Sequence, residues 1–455
     1  MARTDTWSLV SESDREKLAA SMPDVEDAYP LVALQAGMLF HSEMNPETAV
    51  YHDVFSCRIR AVLDAAHLRT AVARVLSRHA VLRTSFNLKD YGQALQLVHA
   101  EVPVPLAVDD LQSLSSAEQE SEIAAWREAE KGRPFAWDEA PLLRFQVHRL
   151  AVDDFQLTLS FHHAICDGWS VATMLAELFA QYGALMGGDA RLIPSVPELT
   201  YRDFVALEQS ALGSAETRAY WARKLAGRTV LELPRLEQAA RGPATGKLGV
   251  ETRVLDEGRT EALKSLAQRV GVPLKNVLLA AHVRVMGLVG NQTDVLTGLV
   301  SNSRPEESDG ERVLGLFLNT LPLRYELSGG TWQDLARGVF AAEQELLPHR
   351  RYPMGVLQRD HGNEALFETA FNFNHFHVYQ GVGGQGDVEV SDAEIFEYTN
   401  FTLMTNFDLD PENARLTLRL NYDSGQVGAV QAADLALYYE RVLANMVADP
   451  DGSAF

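Results

Sequence analysis

The sequence predicts an α/β protein of more than one domain. The strongest sign is a change of period within one stretch. Phe155, Leu157, Leu159 and Phe161 alternate with polar Gln156, Thr158 and Ser160; then Val171, Leu175, Leu178, Phe179 and Tyr182 share one helical face. Similar patterns recur on both sides of it, with helical spacing in Leu63–Ser77 and Lys275–Val289 and strand-like runs near Leu143–Leu150 and Asp294–Val300. Length is the third observation: 455 residues suffice for two to three domains, each with its own core.

Composition narrows the function classes. A net charge of −22 argues against nucleic acid and anionic membrane surfaces as partners. Two cysteines, Cys57 and Cys166, provide no disulfide framework and suit a reducing cytosol. The N-terminus is too charged for a secretory signal peptide, and no apolar run approaches the roughly 20 residues of a membrane span. The expectation is a soluble, cytoplasmic protein.

In chain order, residues 1–27 form a polar lead-in with a short helix around Ser11–Ser21. Ala28–Ser42, which contains Met38, has the apolar density of a buried helix. Leu63–Ser77 is helical, and Arg78–Phe86 turns into a strand in which Arg83 would be a buried charge requiring a partner. A helix around Ser115–Lys131 precedes the strand pair. Met186–Thr200, with two glycines and two prolines, is the best linker candidate. Beyond it, Tyr201 to about Leu225, Thr260–Val270, Lys275–Val289 and Ala433–Val447 read as helices, and Gln238–Gly249 as a loop. On a strand through Phe367–Tyr379, His375 and His377 would share one face. They could make a two-ligand metal pair, but no third ligand of suitable spacing accompanies them, and core or channel-lining roles fit better.

Between the central strand and helix lies His162-His163-Ala164-Ile165-Cys166-Asp167-Gly168, a polar, titratable hinge. Strand parity carries His163 on the face of Phe161 and turns His162 the other way, so His163 is the reactive imidazole and His162 a hydrogen-bonded strut. The same parity disfavours a metal site made of His162, His163 and Asp167. Asp167 also fits the N-cap of the following helix.

HHAICDGWS resembles the HHxxxDG signature of condensation domains in non-ribosomal peptide synthetases, within the chloramphenicol-acetyltransferase-like acyltransferases. Other blocks follow in the family's order. Gln35, Gly37, Met38, Leu39, Phe40 and His41 match LSPxQxGMLFHS, with Val32 and Ala33 in place of the usual hydroxyl residue and proline. Arg78, His79, Leu82, Arg83, Thr84 and Phe86 match RHxxLRTxF. Tyr201–Gln209 resembles YxDF; Gly315, Phe317, Asn319 and Thr320 match GxFxNT; His349–Gln358 resembles a late YP block.

The resemblance implies two chloramphenicol-acetyltransferase-like α/β halves in a V around a central tunnel: residues 1–185, a linker over 186–200, and 201–455 with tunnel-covering loops. It implies peptide-bond formation between a donor thioester and the α-amino group of an acceptor aminoacyl thioester. Both are tethered by phosphopantetheine to donor and acceptor peptidyl carrier domains, with an adenylation domain as neighbour and no cofactor on this chain. His163 would be catalytic, and His162, Asp167, Gly168, Arg304 and Asn319 supporting, with Arg304 pairing Asp167 across the halves. Met38, Trp169, Ser170, His375 and His377 would line the channel. The GMLFHS form resembles the subtype that joins a D-ended donor to an L-acceptor.

Neighbouring families fit less well. Glycerolipid acyltransferases should bring a second substrate motif and a membrane-associating segment, plant-type acyl-CoA transferases a DFGWG block, and heterocyclisation domains aspartates in place of the histidines. The alternative from another class is a non-catalytic module of the same fold that recruits partner enzymes to a carrier-bound peptide. Such modules carry degraded motifs, and HHAICDG is intact.

Overall fold

A computed structural model describes residues 4–44, 51–235, 248–307, 309–374, 389–396, 401–410 and 413–455. The chain forms two compact units. Met1–Gln209 builds most of the first, and Arg304–Phe317 and the strand Glu389–Phe396 are added to it from later in the chain.

The first unit contains strands β1 (Val25–Pro30), β2 (His52–Arg60), β3 (Thr84–Asn87), β4 (Leu95–His99), β5 (Leu106–Asp110), β6 (Leu143–Ala151) and β7 (Asp154–His162). Its helices are α1 (Glu12–Ser21), α2 (Ala33–Met44), α3 (Ala65–Arg78), α4 (Ser116–Lys131), α5 (Gly168–Leu185) and the part of α6 (Tyr201–Gly213) up to Gln209. A small antiparallel sheet has the order β1-β4-β3. The larger one runs from the strand Glu389–Phe396 through β2, β7 and β6 to β5.

Strand β7 is central, and its apolar face is the predicted one: Phe155, Leu157, Leu159 and Phe161 are all buried. On the alternate, polar face Thr158 and Ser160 are buried too, and Gln156 is half-buried. The two buried hydroxyls are satisfied instead of solvated: Thr158 Oγ1 lies 2.8 Å from Ser56 Oγ, and Ser160 Oγ donates to Glu130 of α4 at 2.6 Å. Helix α5 follows with Val171, Leu175, Leu178, Phe179 and Tyr182 all buried.

The second unit holds β8 (Leu248–Val254), β9 (Asp294–Asn302), β10 (Leu318–Glu326), β11 (Thr369–Asn374), β13 (Leu403–Leu409) and β14 (Leu416–Asp423); β12 is the strand Glu389–Phe396 placed above. The sheet order is β10-β9-β11-β13-β14-β8, with β11 parallel to both neighbours. Helices α7 (Ala215–Lys224), α8 (Glu257–Val270), α9 (Leu274–Val289), α10 (Trp332–Leu346), α11 (Met354–Asp360) and α12 (Ala429–Ala448) complete it. Its core joins α9 and α12 to the sheet, and there His282 is fully buried between Tyr439 Oη at 2.7 Å and Thr297 Oγ1 at 2.9 Å. No single helix among the described residues is long and apolar enough to cross a membrane. Helices α8 and α9 together pass such a test as a bent pair, but their apolar residues form the core of this unit.

Several expectations need correction. Ala28–Ser42 is not one helix: β1 runs to Pro30 and α2 starts at Ala33. Pro30 has no N–H and holds the residue before it in an extended conformation, so a helix cannot run through it. Nor do the compact units follow a division at 185 and 201. Tyr201–Gln209 and Arg304–Phe317 belong to the first unit, because their side chains are spent on it. Tyr201 Oη donates to Leu316 O at 2.8 Å, Arg202 pairs with buried Asp27, and Phe204 packs on Phe317 with ring centroids 4.9 Å apart. His375 and His377 lie outside the described residues.

Candidate active site

The seven-residue hinge is held by backbone contacts on both sides. His162 N donates to Leu142 O at 3.0 Å, and His163 N to Tyr51 O at 2.8 Å. Inside the hinge, Ala164 N donates to His162 Nδ1 at 3.1 Å and Ile165 N to His162 O at 3.1 Å. Gln35, from the first motif, donates to Ala164 O at 2.9 Å. Its amide is oriented by Val32 N on Oε1 at 3.1 Å and by Gln96 Oε1, which accepts from Nε2 at 3.0 Å. The motif match alone gives Gln35 no role; its contacts make it the clamp on the hinge backbone.

The two histidines have different chemistry. His162 is buried; burial first, then the neighbouring His163 and His52, push its pKa down to about 3. Its imidazole is therefore neutral at physiological pH and a weak base, suited to accepting the Ala164 N–H and little else. The His163 side chain is 19% exposed, and its Nδ1 lies 2.6 Å from Asp53 Oδ2 on β2. The carboxylate thus stands directly beside that ring nitrogen, and the contact becomes an ion pair only when the imidazole is protonated. Asp53 was not legible as a site residue, because the β2–β7 register that brings it close is a pairing across more than a hundred residues.

Asp167 and Arg304 are both buried and make a 2.8 Å ion pair inside the first unit. Asp167 Oδ1 also accepts from Ser170 N at 2.8 Å, capping α5, and Oδ2 accepts from Phe317 N at 3.1 Å. Ser170 Oγ donates to Gly315 O at 2.7 Å, and Arg304 Nη2 reaches the same hydroxyl at 2.6 Å. Arg304 further donates to Val313 O and lies 4.1 Å from the Phe317 ring centroid. Gly315 lets the Tyr201 ring pack against its backbone: a Cβ there would sit 2.2 Å from that ring. Ser170 and Asp167 are thus spent on the knot. Gly168 and Trp169 open α5, both half-buried, and the Trp169 indole donates to Glu311 O at 2.9 Å. Met38 is buried on α2. Asn319 belongs to the second unit, where its amide bridges the carbonyls of Arg350 (2.9 Å) and Tyr352 (2.8 Å), so it ties two motif blocks together.

The RHxxLRTxF block is also structural. His79 Nε2 is 2.9 Å from Glu177 Oε2, Arg78 pairs with the same carboxylate, and Arg83 finds its partner in Glu26 at 2.7 Å. A cavity of about 670 Å³ is walled by residues including Phe86, Trp137, His52 and His162. Among the described residues no group of three His, Cys, Asp or Glu is placed to hold a metal.

Glu208 on α6 accepts from Ala33 N, at the start of α2, at 2.8 Å. Burial raises its pKa to about 7 against the opposing effect of that hydrogen bond. The folded state therefore holds a proton that the unfolded state releases near the ordinary value of 4.5, and stability falls as pH rises from about 4.5 through about 7. Glu208→Gln should remove the effect: at pH 8 the variant gains up to about 3 kcal/mol over the parent, and at pH 4 the two melt alike. Denaturation at the two pH values checks this.

The family model for the condensation domain matches residues 25–454. The chain belongs to the condensation-domain family. This condensation domain is 35% identical to the AMB antimetabolite synthetase AmbE of Pseudomonas aeruginosa, over 98% of this chain and 21% of that protein. It is 28% identical to one of the subunits of the linear gramicidin synthase of Brevibacillus parabrevis, over 99% of this chain and 6% of that one. The chain thus spans about a fifth or less of the length of these relatives. In fold it is similar to the first condensation domain of the calcium-dependent antibiotic synthetase in complex with a substrate analogue (TM-score 0.75, 21% identity, 94% and 98% of the two chains covered). It is similar also to the X-domain in a complex with OxyB from teicoplanin biosynthesis (TM-score 0.78, 21% identity, 100% and 98% covered). The expected α/β fold of two chloramphenicol-acetyltransferase-like halves is the one observed. Condensation domains of peptide synthetases are amide-forming acyltransferases, and the family match places this chain among them.

Proposed function

We propose that His163 takes the proton from the acceptor's α-amino group while that nitrogen attacks the donor thioester. Both substrates arrive on phosphopantetheine arms of donor and acceptor peptidyl carrier domains, and an adenylation domain is a neighbour in a longer synthetase. The observation that carries this reading is the contrast between two adjacent imidazoles: His162 buried, neutral and occupied, His163 partly exposed and beside a carboxylate.

Holding the two arms together is the larger contribution, since good orientation supplies about 7–11 kcal/mol. Proton transfer contributes about 10²–10⁴-fold. An α-amino group titrates near pH 8, so a useful fraction is already neutral and nucleophilic in the cytosol. Asp167 has no part in the proton's path, because both its oxygens serve the Arg304 knot. The GMLFHS form of the first motif supports a donor ending in a D-residue or glycine.

The test loads two carriers with defined aminoacyl-pantetheine groups, offers D- and L-donors in parallel, and follows dipeptidyl product by mass spectrometry. Peptide formed with the D-donor in preference is the expected result. Absence of peptide with every donor, from well-folded protein and competent carriers, would favour the recruitment module instead.

A further inference from the structure

We propose that Asp53 is the positioning residue for His163, holding the imidazole proton on Nδ1 so that Nε2 presents its lone pair to the incoming amine. The inference rests on His163 being the group that handles that proton.

Four observations point to it. The Asp53 carboxylate is largely buried, 10% exposed, and reaches His163 Nδ1 at 2.6 Å. The register sets Asp53 opposite Phe161 and His52 opposite His162, so the start of β2 faces the end of β7 where the histidines emerge. Two residues before Asp53, Tyr51 accepts the His163 backbone N–H at 2.8 Å, so the same short segment grips both backbone and ring. Tyr51 itself has φ of 62°, a left-handed conformation that a bulky residue rarely adopts and that recurs near functional sites.

A carboxylate that close favours the tautomer with hydrogen on the near nitrogen, whatever the alignment, because the charge acts through distance. With Nδ1 protonated, Nε2 is left as an acceptor. In the reaction the amine nitrogen bonds to the thioester carbon and its proton passes to Nε2. The imidazolium so formed lies against Asp53, which stabilises it without taking the proton. When the C–S bond breaks, the proton returns from Nε2 to the departing thiolate, giving a thiol. The cycle closes with imidazole and carboxylate unchanged. His162 cannot substitute, since it is buried and its Nδ1 already accepts from Ala164 N.

The test is Asp53→Asn, which keeps size and shape and removes the charge. An asparagine can turn its NH₂ towards Nδ1 and so favour hydrogen on Nε2, the wrong tautomer for accepting a proton. Expected is a fall in kcat of about 10²-fold or more, with KM for the loaded acceptor carrier changed less than about threefold and an unaltered melting curve. Asp53→Glu restores part of the rate. In ¹⁵N-histidine-labelled protein, the His163 signals, assigned by their loss in His163→Gln, report the Nδ1-protonated form in the parent and the Nε2-protonated form in the asparagine variant. A rate within threefold of the parent, or an unchanged tautomer, overturns the proposal. If His163→Gln itself proves fully active, the reading of His163 fails, and the tautomer measurement still decides whether Asp53 orients the ring.

Discussion

Replacing His163 by glutamine is expected to lower the rate of dipeptide formation by about 10²–10⁴-fold while leaving the fold intact. The side chain is 19% exposed and its loss opens no core cavity, so denaturation midpoints should move little. Glutamine retains a hydrogen-bonding end but cannot take a proton at neutral pH, so the deficit should lie in kcat and not in the KM of either loaded carrier. His162→Gln should behave in the opposite way. That residue is 3% exposed and its ring accepts from Ala164 N, so its replacement should cost stability first and rate second. Single-turnover rates measured beside denaturation curves separate the two. Equal rate losses with no stability difference would contradict the assignment of the two roles.

Asp167→Ala is expected to destabilise the first unit by about 3–5 kcal/mol. The substitution strands the buried Arg304 guanidinium and removes the acceptor for Ser170 N and Phe317 N, so an ion pair, a helix cap and a chain-crossing contact fail together. Adding Arg304→Met should recover part of the loss, because the stranded charge is gone while the stem volume remains. A urea transition followed in the single and double variants tests this. In the fraction that stays folded, the rate per molecule should drop far less than for His163→Gln, since Asp167 is committed to the knot. A double variant no more stable than the single would show that the charge is not what the aspartate neutralises.

The two periods of Phe155–Tyr182 placed β7 and α5 almost to the residue, because the side-chain repeat of a strand or helix is local. The same reasoning missed β1, β2, β4, β5, β8, β10, β13, β14 and α10, among others. Val250, Thr252 and Val254 on β8 are exposed while the residues between them are only half-buried, so that edge strand carries a weak pattern. It also treated the polar face of β7 as merely polar, whereas Ser160 sits in a closed layer with His52 and Glu130. Arg304 was legible as Asp167's partner through the resemblance, but it was expected from the opposite half, and only contacts could assign Arg304–Phe317 to the first unit.

What the chain alone determined, then, was local: the strand, the helix, the hinge between them, and the parity that separates His163 from His162. Folding decided which distant groups those residues meet. Asp53 beside His163, Gln35 on the Ala164 carbonyl and the Gly315–Ser170–Arg304 knot on Asp167 join positions that lie more than a hundred residues apart in sequence. Periodicity decays within a few residues, whereas an ion pair or a buried hydrogen bond depends only on distance in space, so no local pattern in the sequence encodes it.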